Sequence, residues 1–149
     1  NRELKRPVDF RSESTTHRIA SACENLVKGL LFAKESMLTD EVKGTSGFAE
    51  QFAKTGTADK MGRSLRQFDL HRRLLKYPCS WLIYSQAFLA LPKEAKACVY
   101  NRLHSILSTK DTLEDFPNLN LYERECIQSI LSETLPEYEA ACSRAVATR

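Results

Sequence analysis

The sequence predicts an all-α fold, an irregular orthogonal bundle of about six to seven mostly short helices, on three observations. Glycine and proline number only five each in 149 residues, so few positions would break a helix interior. Apolar residues recur at intervals of three and four along most of the chain. Prolines and capping residues interrupt those runs so often that few segments reach the length a four-helix bundle needs. No repeat at a solenoid period and no low-complexity stretch is present.

Residues 1–12, with Pro7 and many charges, read as a flexible lead-in, which leaves 13–149 as a single helical domain. Ser14, Thr15 or Thr16 offers an N-cap for a helix over about 15–36, in which Ile19, Cys23, Leu26, Val27, Leu30 and Leu31 share a face. Arg18, Glu24 and Lys28 lie opposite, as on a solvent side. A polar stretch to Gly44 follows. Thr45 or Ser46 then caps a short helix in which Phe48 and Phe52, four apart, face the same way. Gly56 suits the left-handed residue that would end it, and Gly62 marks a second turn.

Ser64 starts another helical pattern through Leu65, Phe68, Leu70, Leu74 and Leu75, which Pro78 interrupts because the residue before a proline is pushed out of helical space. The pattern resumes over Cys79–Ala90, with Trp81, Tyr84 and Phe88 at helical spacing. A strand at Trp81–Tyr84 is the weaker reading, since it has no pairing partner. Pro92 stands near the first position of the next helix, which runs to about Ser108. A loop over 109–119 follows. Asn120 with Glu123 three residues on resembles a capping box for a helix reaching Pro136. A short Ala-rich helix from Pro136 to about Val146 closes the chain.

With 42% hydrophobic and 28% charged residues, the composition is that of a soluble folded domain able to bury an ordinary core. The longest apolar run is far below the roughly 18 residues of a membrane span, and no membrane insertion is expected. The five cysteines (Cys23, Cys79, Cys98, Cys126 and Cys142) form no C-x-x-C pair, and His17, His71 and His104 share no ligand spacing. Neither a metal nor a cofactor is therefore expected in this chain. Most of the cysteines read as small buried hydrophobes, and one disulfide between neighbouring helices would suit an exported parent. No P-loop, dinucleotide fingerprint, H-E-x-x-H or G-x-S-x-G occurs.

Charge is distributed unevenly. Residues 1–110 carry 19 Lys and Arg against 11 Asp and Glu, whereas residues 111–140 carry one against eight. Such polarity points to self-complementary packing or a solvated acidic face, and leaves a basic half for an anionic partner. The basic character peaks between Asp59 and Lys76, with six Lys and Arg against two Asp.

Two readings of this segment compete. In one, Arg63, Ser64 and Arg66 at a helix N-terminus, closed by Arg72 or Arg73, bind a phosphate or carboxylate. In the other, Asp69 pairs with Arg66, Arg72 or Arg73 and ties two helices together. Nucleic-acid binding by the same basic residues, interleaved with Phe68 and Tyr77, lacks any reader motif. Cys79, just after Pro78, is a candidate reactive thiol, but no histidine is close enough in sequence to be its base.

The strings Gly44-Thr-Ser-Gly-Phe-Ala-Glu-Gln-Phe-Ala53, Gly62-Arg-Ser-Leu-Arg-Gln-Phe-Asp-Leu70 and Tyr77-Pro-Cys-Ser-Trp-Leu-Ile-Tyr-Ser85 resemble the C-terminal region of a family of large, uncharacterised, exported bacterial proteins, some in a cytochrome-like context. The likeness covers about residues 25–108. It implies a piece of a longer, periplasmic chain and supplies no catalytic residue to transfer. Because C-x-x-C-H is absent here, any haem would belong to another region. The opening Asn1-Arg2-Glu3-Leu4, without an initiator Met, agrees with a fragment. The resulting expectation is a non-catalytic helical module that packs against other domains of its parent, with the basic segment as contact surface. The alternatives are an anion-binding, enzyme-associated site formed by Arg63, Arg66 and Arg73 near Tyr77 and Cys79, and nucleic-acid binding.

Overall fold

The structure, a computed structural model, describes residues 13–147. The expected lead-in at 1–12 lies outside the described residues. Six α-helices and one 3-10 turn follow in order: α1 (Glu13–Leu30), α2 (Phe48–Lys54), the 3-10 turn (Trp81–Tyr84), α3 (Gln86–Leu89), α4 (Lys93–Ser108), α5 (Leu121–Thr134) and α6 (Pro136–Ala147). The fold is all-α: no strand is present among the described residues, only an isolated antiparallel bridge between Phe68 and Leu75.

Helix α4 is the hub, packed against α1, α5 and α6, while α5 and α6 also pack on one another. It holds this place because Val99, Tyr100, Leu103, Ile106 and Leu107 form a buried stripe at helical spacing. Val27 and Leu31 meet that stripe from the end of α1, Ile127, Ile130 and Leu131 from α5, and Tyr138 from α6, all within one buried cluster. Each such side chain contributes roughly 1.5–3 kcal/mol on leaving water. The expected capping box is present: Asn120 accepts from the Glu123 N–H at 2.8 Å, and the Glu123 carboxylate accepts from the Asn120 N–H at 3.1 Å. Pro136 opens α6 at a first-turn position that needs no N–H donor.

Helix α1 stops sooner than its periodicity suggests. Phe32 takes the left-handed conformation (φ 51°) that glycine usually supplies. The Ala33 N–H donates to Lys28 O and the Phe32 N–H to Gly29 O, which makes a Schellman cap. The next carbonyls are met from far along the chain. Leu30 O accepts from the Ser80 N–H, and Leu31 O and Phe32 O accept from the Asn118 side-chain amide. The face assigned to solvent is also engaged, since Glu24 pairs with Arg102 on α4 and Lys28 with Asp115 in the 109–119 loop.

The helix expected from Ser64 to Leu75 does not form. Asp69 turns its carboxylate onto the His71 and Arg72 N–H groups at 3.0 and 3.2 Å, a local alternative to helical hydrogen bonding. Leu70 adopts φ 61°, and the chain folds back so that Asp69 N–H meets Leu74 O and Lys76 N–H meets Gln67 O. The apolar spacing had the right period but the wrong cause. Leu65 and Leu75 enter the interior, Leu74 is half exposed, and Phe68 stacks on Phe52 with ring centres 5.1 Å apart.

The expected Cys79–Ala90 helix is divided at Ser85, whose extended backbone separates the 3-10 turn from α3. Ser80 and Ser85 each cap the short turn that follows. Around α2 the left-handed glycine is Gly47, before the helix, rather than Gly56 after it. Gly56 is needed for room: a Cβ there would collide with Ser64 Oγ and crowd the Arg66 side chain at 3.1 Å.

Candidate functional site

The basic segment forms an irregular strap from Asp59 to Ser80, lying over the end of α1 and along α5. Its first anchor is a turn. The Asp59 carboxylate, with no exposed side-chain surface, accepts from the Met61 N–H at 3.0 Å, the Arg63 N–H at 2.8 Å and Arg63 Nε at 2.7 Å. Gly62 at φ 73° lets the chain close around it. Burial opposes the Asp59 charge, but the hydrogen bonds from Arg63 and Met61 outweigh it and hold the carboxyl below its usual range. The remaining Arg63 nitrogens donate to Ser129 Oγ at 2.8 Å and to Cys126 Sγ at 3.4 Å, both on α5.

The other expected site residues point elsewhere. Ser64 is buried, and its hydroxyl accepts from the Arg66 N–H. The Arg66 guanidinium lies between the Phe52 ring, 5.0 Å away, and the Trp81 ring, 4.7 Å away, and donates to Thr55 Oγ1 at 2.7 Å. Arg73 is buried; it donates to Asn118 O at 3.1 Å and faces the buried Glu123 carboxylate at 3.6 Å, at the start of α5. Its Nε and Nη1 make no hydrogen bond to protein. Arg72 is mostly exposed, 3.7 Å from Asp69 and 3.8 Å from Glu123.

Arg63, Arg66 and Arg73 are thus directed to three separate places, and no helix N-terminus lies beneath Arg63 and Arg66. The tie that the sequence assigned to Asp69 is made chiefly by Asp59. Among the described residues Asp69 reaches only Arg72 of the arginines, and at a length too great for a strong pair. Sequence reasoning missed the roles of Asp59, Asn118 and Arg124, and named Glu123 only as the capping partner of Asn120, not as the carboxylate that faces Arg73. Asp59 three residues before Gly62 was the available signal, a turn with its own carboxylate acceptor. Asn118 and Arg124 act on distant carbonyls, Leu31 and Phe32 for one and Thr109 and Asp111 for the other, which no local pattern announces.

Cys79 is fully buried, and burial pushes its thiol pKa up to about 12. Tyr77 is buried beside it in sequence, and its phenol is likewise pushed up by burial. His71 faces Glu41 at 3.5 Å, and His104 shares Nδ1 with Ser108 and Gln128. Among the described residues, no group of three or more His, Cys, Asp or Glu side chains is placed to hold a metal ion.

Two concavities lie outside the basic part of the strap, the second touching its last residue, Ser80. A groove of about 760 Å³ between α4 and α6 is lined by Lys93, Lys96, Tyr100, Glu137 and Arg144. Lys96 and Glu137 pair across it at 2.8 Å. A shallower depression of about 350 Å³ lies over Leu26, Leu82, Phe88 and Leu91. Among the described residues no helix is long and apolar enough to cross a membrane.

No protein-family model matches this chain, and comparison with curated proteins and with solved structures finds no match either.

Proposed function

We propose that this chain is a non-catalytic helical packing module of a larger, exported bacterial protein, and that it meets a neighbouring domain of its parent through the outer side of the strap. The observation that carries this reading is the division of labour along the basic segment. Arg63, Arg66 and Arg73 are engaged inside the fold, whereas His71, Arg72, Leu74 and Lys76 are exposed together on the outer side. A basic rim with an apolar member is suited to steering and docking on an acidic protein surface.

An anion site in the strap is supported only by Arg73, whose Nε and Nη1 lack hydrogen-bond partners. The Glu123 carboxylate already supplies a negative charge there. Nucleic-acid binding has less support, because Phe68 stacks within an aromatic cluster and Tyr77 is buried, which leaves neither ring for a base.

The test is association in trans between this chain and the rest of its parent polypeptide, expressed separately. The two should bind, and the double substitution Arg72→Glu with Lys76→Glu should weaken binding by about tenfold or more in a chain that circular dichroism shows to be folded. Absence of binding, or binding indifferent to both charge reversals, would contradict the reading.

A further inference from the structure

The α1–α4 interface brings two cysteines together. Cys23 on α1 belongs to the buried core, and Cys98 on α4 packs against that same core. Cys98 is the neighbour that, after burial, most raises the Cys23 thiol pKa, which sets the two side chains beside each other across this interface. The register of the two helices is fixed next to them: Glu24, the residue after Cys23, accepts from Arg102 Nε at 2.7 Å and Nη2 at 3.1 Å, and Arg102 stands one turn after Cys98 on α4. The packing of α1 on α4 and this ion pair place Cys23 and Cys98 at neighbouring levels of one interface.

Exposure makes the pair selective. Cys79, Cys126, Cys142 and Cys23 are buried, and Cys98 alone of the five cysteines is partly exposed. An oxidant arriving from solvent therefore meets Cys98 first, with Cys23 directly behind it. We propose that Cys23 and Cys98 form a disulfide by exchange with a low-molecular-weight disulfide, joining α1 to α4 in an oxidising compartment.

The chemistry has two steps. The Cys98 thiolate attacks one sulfur of the small disulfide, forming a mixed disulfide and expelling one thiolate. Cys23 then attacks the Cys98 sulfur, expels the second thiolate and gives up its proton to it. Two protein thiols and one small disulfide become one protein disulfide and two small thiols. Burial and the neighbouring Cys98 raise the Cys23 pKa to about 12. Cys23 is accordingly the resolving thiol and Cys98 the attacking one. The cross-link closes a loop of about 75 residues, which restricts the unfolded chain strongly.

Oxidised glutathione is the probe, added to the folded chain, with the products read by intact mass and by non-reducing peptide mapping. The wild type should lose two hydrogens, yield a linked Cys23–Cys98 peptide and no other, and unfold at a temperature higher by about 5–10 °C than its reduced form. Cys23→Ala should instead retain one glutathione on Cys98. A wild-type chain that stays unreacted, keeps a glutathione adduct on Cys98, or links any other pair of cysteines would overturn the proposal. The wild-type map decides the matter even if Cys23→Ala folds poorly.

Discussion

A carboxylate without exposed surface is stable only where donors surround it, and Asp59 has three: the Met61 N–H, the Arg63 N–H and Arg63 Nε. Because the same guanidinium continues to Ser129 and Cys126, one ion pair closes the turn and fastens it to α5. The folded-state pKa of Asp59 is depressed. In acid the unfolded chain takes up its proton first, so the contribution of Asp59 is present above its ordinary value near 3.8 and is lost as pH falls below it. Asp59→Asn is expected to lower stability at neutral pH by about 2–4 kcal/mol. It should also flatten the acid limb of a stability-against-pH curve measured by urea unfolding between pH 2 and 6, roughly the range over which such carboxylates titrate. The limb keeps part of its slope, because Glu24, hydrogen-bonded by Arg102, and Asp69 are also held below their usual range.

Helix ends rather than helix interiors decide where the elements begin and stop. The α5 start illustrates a cap written locally: Asn120 and Glu123 satisfy each other's backbone N–H groups. Asn120→Ala should cost about 1 kcal/mol in denaturant unfolding, with the helical content of the rest unchanged by circular dichroism. This box at α5, with Pro92 before α4 and Pro136 opening α6, made the three helices legible in the sequence nearly to the residue. The end of α1 was not legible, because Phe32 holds a glycine-like conformation and the carbonyls beyond it are met by Ser80 and Asn118, about 50 and 86 residues away in sequence. The strap failed for a related reason. Leu65, Phe68, Leu70, Leu74 and Leu75 satisfy a helical period, but Asp69 and the Leu70 backbone favour a tight reversal, and tertiary contacts from Leu38 and Val42 to Arg72 O and Leu70 O complete it. Of the candidate site, the basic character of the segment was readable and the destination of each arginine was not.

Across the whole molecule, the charge asymmetry of the sequence becomes self-complementary packing. Basic residues before position 110 meet the acidic stretch after it at Lys28–Asp115, Arg73–Glu123 and Lys96–Glu137, and Glu133 accepts from the Lys60 N–H. The exposed pairs contribute little singly. Arg73–Glu123, the Lys60–Glu133 hydrogen bond and the Asp59–Arg63–Ser129 link fasten the strap to α5, while Lys28–Asp115 ties α1 to the 109–119 loop and Lys96–Glu137 ties α4 to α6. The central claim is that Arg63, Arg66 and Arg73 of the strap hold the fold rather than a ligand. Urea unfolding of the wild type and Arg63→Ala, each with and without inorganic phosphate, tests it most directly. The account predicts a loss of about 2–4 kcal/mol in Arg63→Ala and no response to phosphate in either protein beyond that to an equal ionic strength of chloride. An unchanged stability in Arg63→Ala, with phosphate stabilising the wild type but not the variant, would contradict it.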